Sequence, residues 1–275
     1  IRQECELTCK LSGLTIHLIE INLFGVRSGS SMTVSCSKKV LTMSLKHCLL
    51  TLACLAFALP VLAGAPEAIP ADDYQKQLFA DDFSADKLGK PWTLYKSSSV
   101  VKDGVLVGIE EQDGGHAAVH QLLTEPYSDV ELTVDLKFEG SPSTNLTFNQ
   151  HKFKGSHAGH LCRVVVSPGK VSLRDGKTGV FNNEIFKKRQ AKEKLTAEEQ
   201  AILKRTQADF PVKLEQHKWY TVTVRIKGDL MQAFIDGKLI GSLRSEGIAH
   251  ATKDKIGLVT PKESIHYDNV KVRVP

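Results

Sequence analysis

Residues 130–138 read VELTVDLKF. Val130, Leu132, Val134, Leu136 and Phe138 alternate with Glu131, Thr133, Asp135 and Lys137. Successive side chains of a strand point to opposite faces, so this stretch predicts a strand with one dry face and one wet one. The pattern returns at Tyr220, Val222, Val224 and Ile226, alternating with Thr221, Thr223, Arg225 and Lys227. Asp236-Gly237 then separates AFI from KLI, the chemistry of a two-residue hairpin turn.

Outward from these two strands, short runs of the same kind recur between turn residues. They include WTLYK, GVLVGIE, HAAVHQLL, TNLTFNQHKF, LCRVVVS, KVSLRD, DKIGLVT and HYDNVKVRV. Many strands at short spacing predict an all-β sandwich or barrel. One segment breaks the rule. In KLTAEEQAILKR, Thr196 and Glu199 fit a capping box ahead of Ala201, Ile202 and Leu203. A helical insertion is therefore expected at about 186–209. The Lys-rich KKRQAKEK before it reads as a solvated helix face or as an anion-binding patch.

The first sixty residues read differently. Lys46 precedes an apolar run, Cys48 to Ala63, in which Val61 and Ala63 are the small residues that a signal peptidase requires. Sixteen residues fall short of a bilayer span of roughly 20. The expected organisation is an upstream extension over 1–42, a signal peptide over 43–63, a flexible lead-in over 64–77 and one folded domain over 78–275. Met32 and Met43 are both candidate starts. A secreted or periplasmic protein, not integral to the membrane after cleavage, is implied.

Cysteine and charge divide at the same point. Five of the six cysteines lie before residue 64, leaving Cys162, in CRVVV, as a buried small hydrophobe rather than half of a disulfide. Residues 1–63 also hold six of the 36 Lys and Arg and three of the 31 Asp and Glu. The remainder carries 30 against 28, a formal charge of +2, which does not favour nucleic acid as a partner.

LFADDF and PWTLY, KDGVL, VELTVDLKF, KWYTVTVRIKGDLMQAFIDGKLIG and IGLVTPKESIHYDNVKV follow one another in an order that resembles the concanavalin- or laminin-G-like jelly-roll domains of secreted bacterial proteins. The chain is most similar to the 3-keto-disaccharide hydrolase, or 3-keto-glucoside lyase, type, which is glycoside hydrolase family 16-like, over residues 78–274. The resemblance implies a jelly roll acting on glycosides. It stops short of the active site, because STNLTFNQHK stands where that family has an asparagine-serine-glycine segment. Family 16 glucanases present carboxylates as Glu-x-Asp-x-x-Glu on one strand. Here the nearest match is Glu131 with Asp135, about 13 Å apart along a strand and too far for either glycosidase geometry.

Histidine is the alternative source of chemistry. His116, His120, His151, His157 and His160 fall within about 45 residues, five of the eight histidines after residue 63. Imidazole titrates where a general base must, and proton abstraction beside a ketone needs one. His116, His157 and His160 are the catalytic candidates. His120 is expected on the same strand face as His116, four residues away. Asn145, Asn149 and His151, with Thr147, form an alternating row suited to sugar hydroxyls, or simply a solvated face. No spacing matches a zinc motif. Asp81, Asp82 and Asp268 are read as ligands of a structural calcium or as Asx turns at strand ends, and no other cofactor is expected.

Three functions stay open: a carbohydrate-active hydrolase or lyase, a non-catalytic carbohydrate-binding or adhesion module, and an export-associated interaction protein without a sugar ligand.

Overall fold

The computed structural model describes residues 16–18, 39–41, 67–85 and 87–275, in two units, Ile1–Gly64 and Ala65–Pro275. In the first, β1 (Ile16–Leu18) pairs antiparallel with β2 (Lys39–Leu41). The signal-like run Cys48–Ala63 and both candidate starts lie outside the described residues. No helix among the described residues is long and apolar enough to cross a membrane.

The second unit is a sandwich of two antiparallel sheets, with strands numbered in chain order. One sheet runs β12 (Gln207–Pro211), β11 (Lys170–Asp175), β10 (His160–Ser167), β9 (Thr144–Asn149), β16 (Lys253–Thr260), β7 (Ala118–Tyr127) and β4 (Trp92–Tyr95). The other runs β15 (Lys238–Arg244), β14 (Leu230–Ile235), β13 (Trp219–Lys227), β8 (Val130–Glu139), β17 (Ser264–Val274), β6 (Val105–Gly108) and β5 (Val100–Lys102). β3 (Lys76–Asp81) joins it along the second half of β17.

The dry residues of the deciding strand, Val130 to Phe138, are fully buried between the sheets. They meet Leu146 and Phe148 of β9, Val164 and Val166 of β10, Val222 and Val224 of β13, and Ile256 and Leu258 of β16 in one core cluster. Cys162 belongs to it too, and burial pushes its thiol up to about 12. Asp236 and Gly237 form the expected hairpin turn, both at positive φ (49° and 77°), with Ile235 paired to Lys238.

On the wet face Glu131 is 2 % exposed. Its carboxylate accepts from Arg225 Nε at 2.7 Å and Arg273 Nε at 2.8 Å, so two cations on neighbouring strands offset its desolvation. Removing the charge strands both. Glu131→Gln is expected to cost about 3 kcal/mol, read as a lowered urea midpoint at unchanged slope.

Two expectations need correcting. The lead-in is docked from Glu67 on. Ile69 and Tyr74 are buried, Ile69 N donates to Gln232 Oε1 at 2.7 Å, and Tyr74 donates to the Ile226 carbonyl at 2.9 Å. Two apolar anchors among Pro and acidic residues suffice to fix it. The helical insertion starts earlier and comes in two pieces, α1 (Asn183–Gln190) and α2 (Ala197–Arg205), and its expected end, Gln207–Asp209, is part of β12. The capping box at Thr196 and Glu199 is present.

Candidate functional site

The outward face of the seven-stranded sheet carries a cleft of about 730 Å³. Strand register arranges its floor as cross-strand rows. In one row Lys255 of β16 sits opposite Asn149 of β9, which sits opposite His160 of β10. Two residues along on β9 and β16, Gln121, Gly257, Thr147 and Arg163 follow one another from β7 to β10, and Arg174 of β11 stands opposite Arg163, beyond the residues that line the cleft. In the next, Val119, Val259 and Asn145 come together. The alternation that buries Leu146 and Phe148 is what turns Asn145, Thr147 and Asn149 into this floor. Gly257 keeps its centre open, since a Cβ there would lie 2.5 Å from Thr147 Oγ1.

The insertion supplies one wall. Asn182 caps α1, its side-chain oxygen accepting from Glu184 N at 3.1 Å. Phe181 and Phe186 thereby face the turn that holds His157 and His160. His157 stacks on Phe186 with ring centroids 3.6 Å apart, and its backbone N–H donates to the Phe181 carbonyl at 2.8 Å. His160 lies 4.5 Å from the Phe181 ring. Within that turn, Gly159 has φ 72° and a Cβ would meet the Gln150 carbonyl at 2.1 Å, so the tight approach requires glycine. Tyr95 and His116, rings 5.3 Å apart and edge to face, form the opposite wall beside β4.

His160 is the most constrained of these groups. Its Nδ1 lies 3.0 Å from Asn149 Oδ1, while Asn149 Nδ2 donates to Thr147 Oγ1 at 3.0 Å. An amide oxygen only accepts, so Nδ1 carries the proton and Nε2 keeps the lone pair. Burial, with Lys255, Arg163, His157 and His116 adding, holds its pKa down to about 4. Burial likewise lowers that of Lys255. No Asp or Glu is among the described residues that line the cleft.

The structure therefore brings His116, His157, His160, Asn145 and Asn149 together, and separates two other candidates from them. β7 begins at Ala118, so His116 precedes the strand, and alternation sends His120 inward. His120 is fully buried, with Nδ1 2.9 Å from the Leu258 carbonyl and Nε2 2.7 Å from Ser99 Oγ. β9 ends at Asn149, so His151 leaves the row and pairs instead with Asp254, Nδ1 to Oδ2 at 2.5 Å. The sequence reading missed Lys255, Arg163, Phe181 and Phe186. The first two were visible as charges at alternate positions of otherwise apolar strands.

The acidic candidates gather where β17 changes partner. Asn269, at φ 49°, sits in a bulge between the half of β17 paired with β6 and the half paired with β3. Asp81 accepts from Phe83 N at 2.9 Å and Trp92 Nε1 at 2.8 Å, Asp82 from Ser84 N, and Asp268 from Asn269 N. Among the described residues no three His, Cys, Asp or Glu are grouped to hold a metal ion.

Burial also pulls the pKa of His120 down to about 4, against roughly 6.5 in an unfolded chain. The unfolded state then binds the extra proton, so the stability associated with this group is complete above pH 6.5 and is lost as pH falls toward 4. The loss is on the order of 3 kcal/mol. Urea midpoints measured between pH 7.5 and 4 should fall for the native chain and fall less for His120→Gln.

The model of the 3-keto-alpha-glucoside-1,2-lyase-like domain matches residues 76–273. The chain belongs to that family. Solved structures share the fold of this lyase-like domain. SCLam, a non-specific endo-beta-1,3(4)-glucanase from family GH16, has a TM-score of 0.52 at 13% identity, over 76% of this chain and 93% of its own. A GlcNAcα1-4Gal-releasing endo-β-galactosidase from Clostridium perfringens has 0.51 at 9%, over 76% and 64%. A sialidase has 0.51 at 15%, over 75% of this chain, which spans 19% of the sialidase. No curated protein sequence matches the chain. The lyase-like domain is thus set on a glycosidase-type jelly roll, with no carboxylate among the described residues that line its cleft.

Proposed function

We propose that this carbohydrate-active jelly-roll protein is a lyase that eliminates the group at C1 of a 3-keto-glycoside, with His160 as base. The observation that carries it is the His160–Asn149–Thr147 relay, which leaves an unprotonated Nε2 in a cleft with no carboxylate among its described lining residues. A ketone at C3 acidifies the C2 proton, so one imidazole replaces the carboxylate pair that an unactivated glycoside needs. Nε2 takes that proton, and the C2–H electron pair moves into an enolate whose oxygen faces the Lys255 ammonium. The enolate collapses to the ketone, the C1–C2 double bond forms, and the C1–O bond breaks. The departing oxygen takes a proton from His116 on the facing wall. Addition of water to the new double bond would give the net hydrolysis that the hydrolase label describes.

The test is to incubate the purified chain with matched glycosides and 3-keto-glycosides and follow the enone and the released group. Turnover of the keto substrates alone supports the lyase. Binding of sugars with no product would make the protein a non-catalytic carbohydrate-binding module. An exported setting rests on Cys48–Ala63, and N-terminal sequencing of the mature protein tests it.

A further inference from the structure

Arg163 and Arg174 stand directly opposite each other across the β10–β11 pair. Directly opposed residues share a sheet face, and like charges so placed repel. A sheet ordinarily relieves this with a carboxylate, as Glu131 does for Arg225 and Arg273 on the other sheet. The remaining arginine ion pair among the described residues is that of Arg244 with Asp229. Arg163 and Arg174 are in none, and the Nε of each is buried without a hydrogen-bond partner. Asp209, three strands from Asn145 along the next row, is bonded by Lys170 at 2.9 Å; its carboxyl is held down by Ser172 and Lys170 first and only then by the charge of Arg174, with which it makes no ion pair. Packing rather than a counter-ion holds Arg163, whose guanidinium lies 4.9 Å from the Phe181 ring centroid. Its pKa falls to about 10, first through burial and then through Arg174 and Arg189 of α1.

Two guanidinium groups beside a polar cleft, with Arg189 as a third cation near Arg163 and no carboxylate among the described residues in ion-pair contact with Arg163 or Arg174, make a receptor for an anion, since the planar fork matches a carboxylate, sulfate or phosphate. We propose that Arg163 and Arg174 form an anion subsite at the α1 end of the cleft, so that the glycoside bound there carries an acidic group. This rests on the cleft being the saccharide site proposed above. The acid would lie in the row next to that of His160, two residues or about 7 Å along β9 from Asn149 to Thr147, adjacent to the reacting ring rather than on it.

The experiment is calorimetric titration of the full chain and of Arg174→Gln and Arg174→Lys. The probes are methyl α-glucoside, methyl α-glucuronide, glucose 6-sulfate and sodium sulfate, each at low and high salt. The expected result is at least tenfold tighter binding of an acidic probe than of the neutral glycoside. That advantage should shrink with salt, vanish in Arg174→Gln and be partly kept in Arg174→Lys. The glucuronide and sulfate-ester arms decide which acid fits. Arg174→Gln should melt no lower than the native chain, because it removes a repulsion, and should turn over a neutral 3-keto-glycoside at the native rate. Equal affinity for neutral and acidic probes, or an advantage that survives Arg174→Gln, overturns the subsite and leaves the lyase reading standing. Sulfate binding that is lost in Arg174→Gln, with no glycoside bound or turned over, keeps the anion site and overturns the carbohydrate reading.

Discussion

Replacing His160 by alanine is expected to lower turnover of a 3-keto-glycoside by about 10²–10⁴-fold, the usual contribution of a positioned general base. Stability should hardly change. The ring packs on Phe181 at the cleft wall, and its one side-chain hydrogen bond is to Asn149, which keeps Thr147. The loss should therefore appear in kcat, with the melting temperature within a few degrees of native. The pH profile is a second readout that a merely structural histidine would not move. Because burial and the surrounding cations hold the pKa of His160 down to about 4, the free enzyme keeps its base unprotonated as pH drops through 6.5. The acid limb of kcat/KM belongs near 4. A limb near 6.5 would assign the base to another group, and undiminished turnover in His160→Ala would remove histidine catalysis at this position.

The largest structural effect is expected at Asp175, which is 1 % exposed. Its carboxylate accepts from Thr178 N at 3.1 Å, Thr178 Oγ1 at 2.5 Å, Ser245 Oγ at 2.6 Å and Gly247 N at 2.9 Å. It ties the turn after β11, which leads into Phe181 and α1, to the segment that follows β15. Gly247 is needed for that closeness, since a Cβ there would lie 2.2 Å from Asp175 Oδ1. Asp175→Ala orphans four donors and opens a polar void. A loss of at least about 3 kcal/mol is expected, measured by urea unfolding. Loosening this turn should also free Phe181 from the cleft, so sugar affinity should drop even where the variant is still folded. A variant that unfolds as the native chain does would show that the wall is held elsewhere.

Legibility followed the range of the interactions. The alternation at 130–138, the Asp236-Gly237 turn and the Thr196 cap are local, and each was readable because the residues that decide it are neighbours in the chain. The floor row Asn145–Thr147–Asn149 was readable for the same reason. The failures came at strand boundaries. β7 starts at Ala118, so His116 lies outside it and shares no strand face with His120, which the alternation turns into the core, and β9 ends at Asn149, which removes His151. The Arg163–Arg174 opposition depends on the register between strands, and the His157–Phe186 stack on how α1 folds back over the sheet. Neither is encoded in spacing along the chain.

β17 lies in the middle of its sheet, between β8 and β6, and also takes β3 along its second half. Every other described strand is synthesised before it. On the ribosome, β8, β6 and β3 must wait with unpaired edges until residues 264–274 have emerged, and contacts between the first and last of these strands span nearly two hundred residues. Such pairings form late, and the waiting edges are open to chaperones or to aggregation.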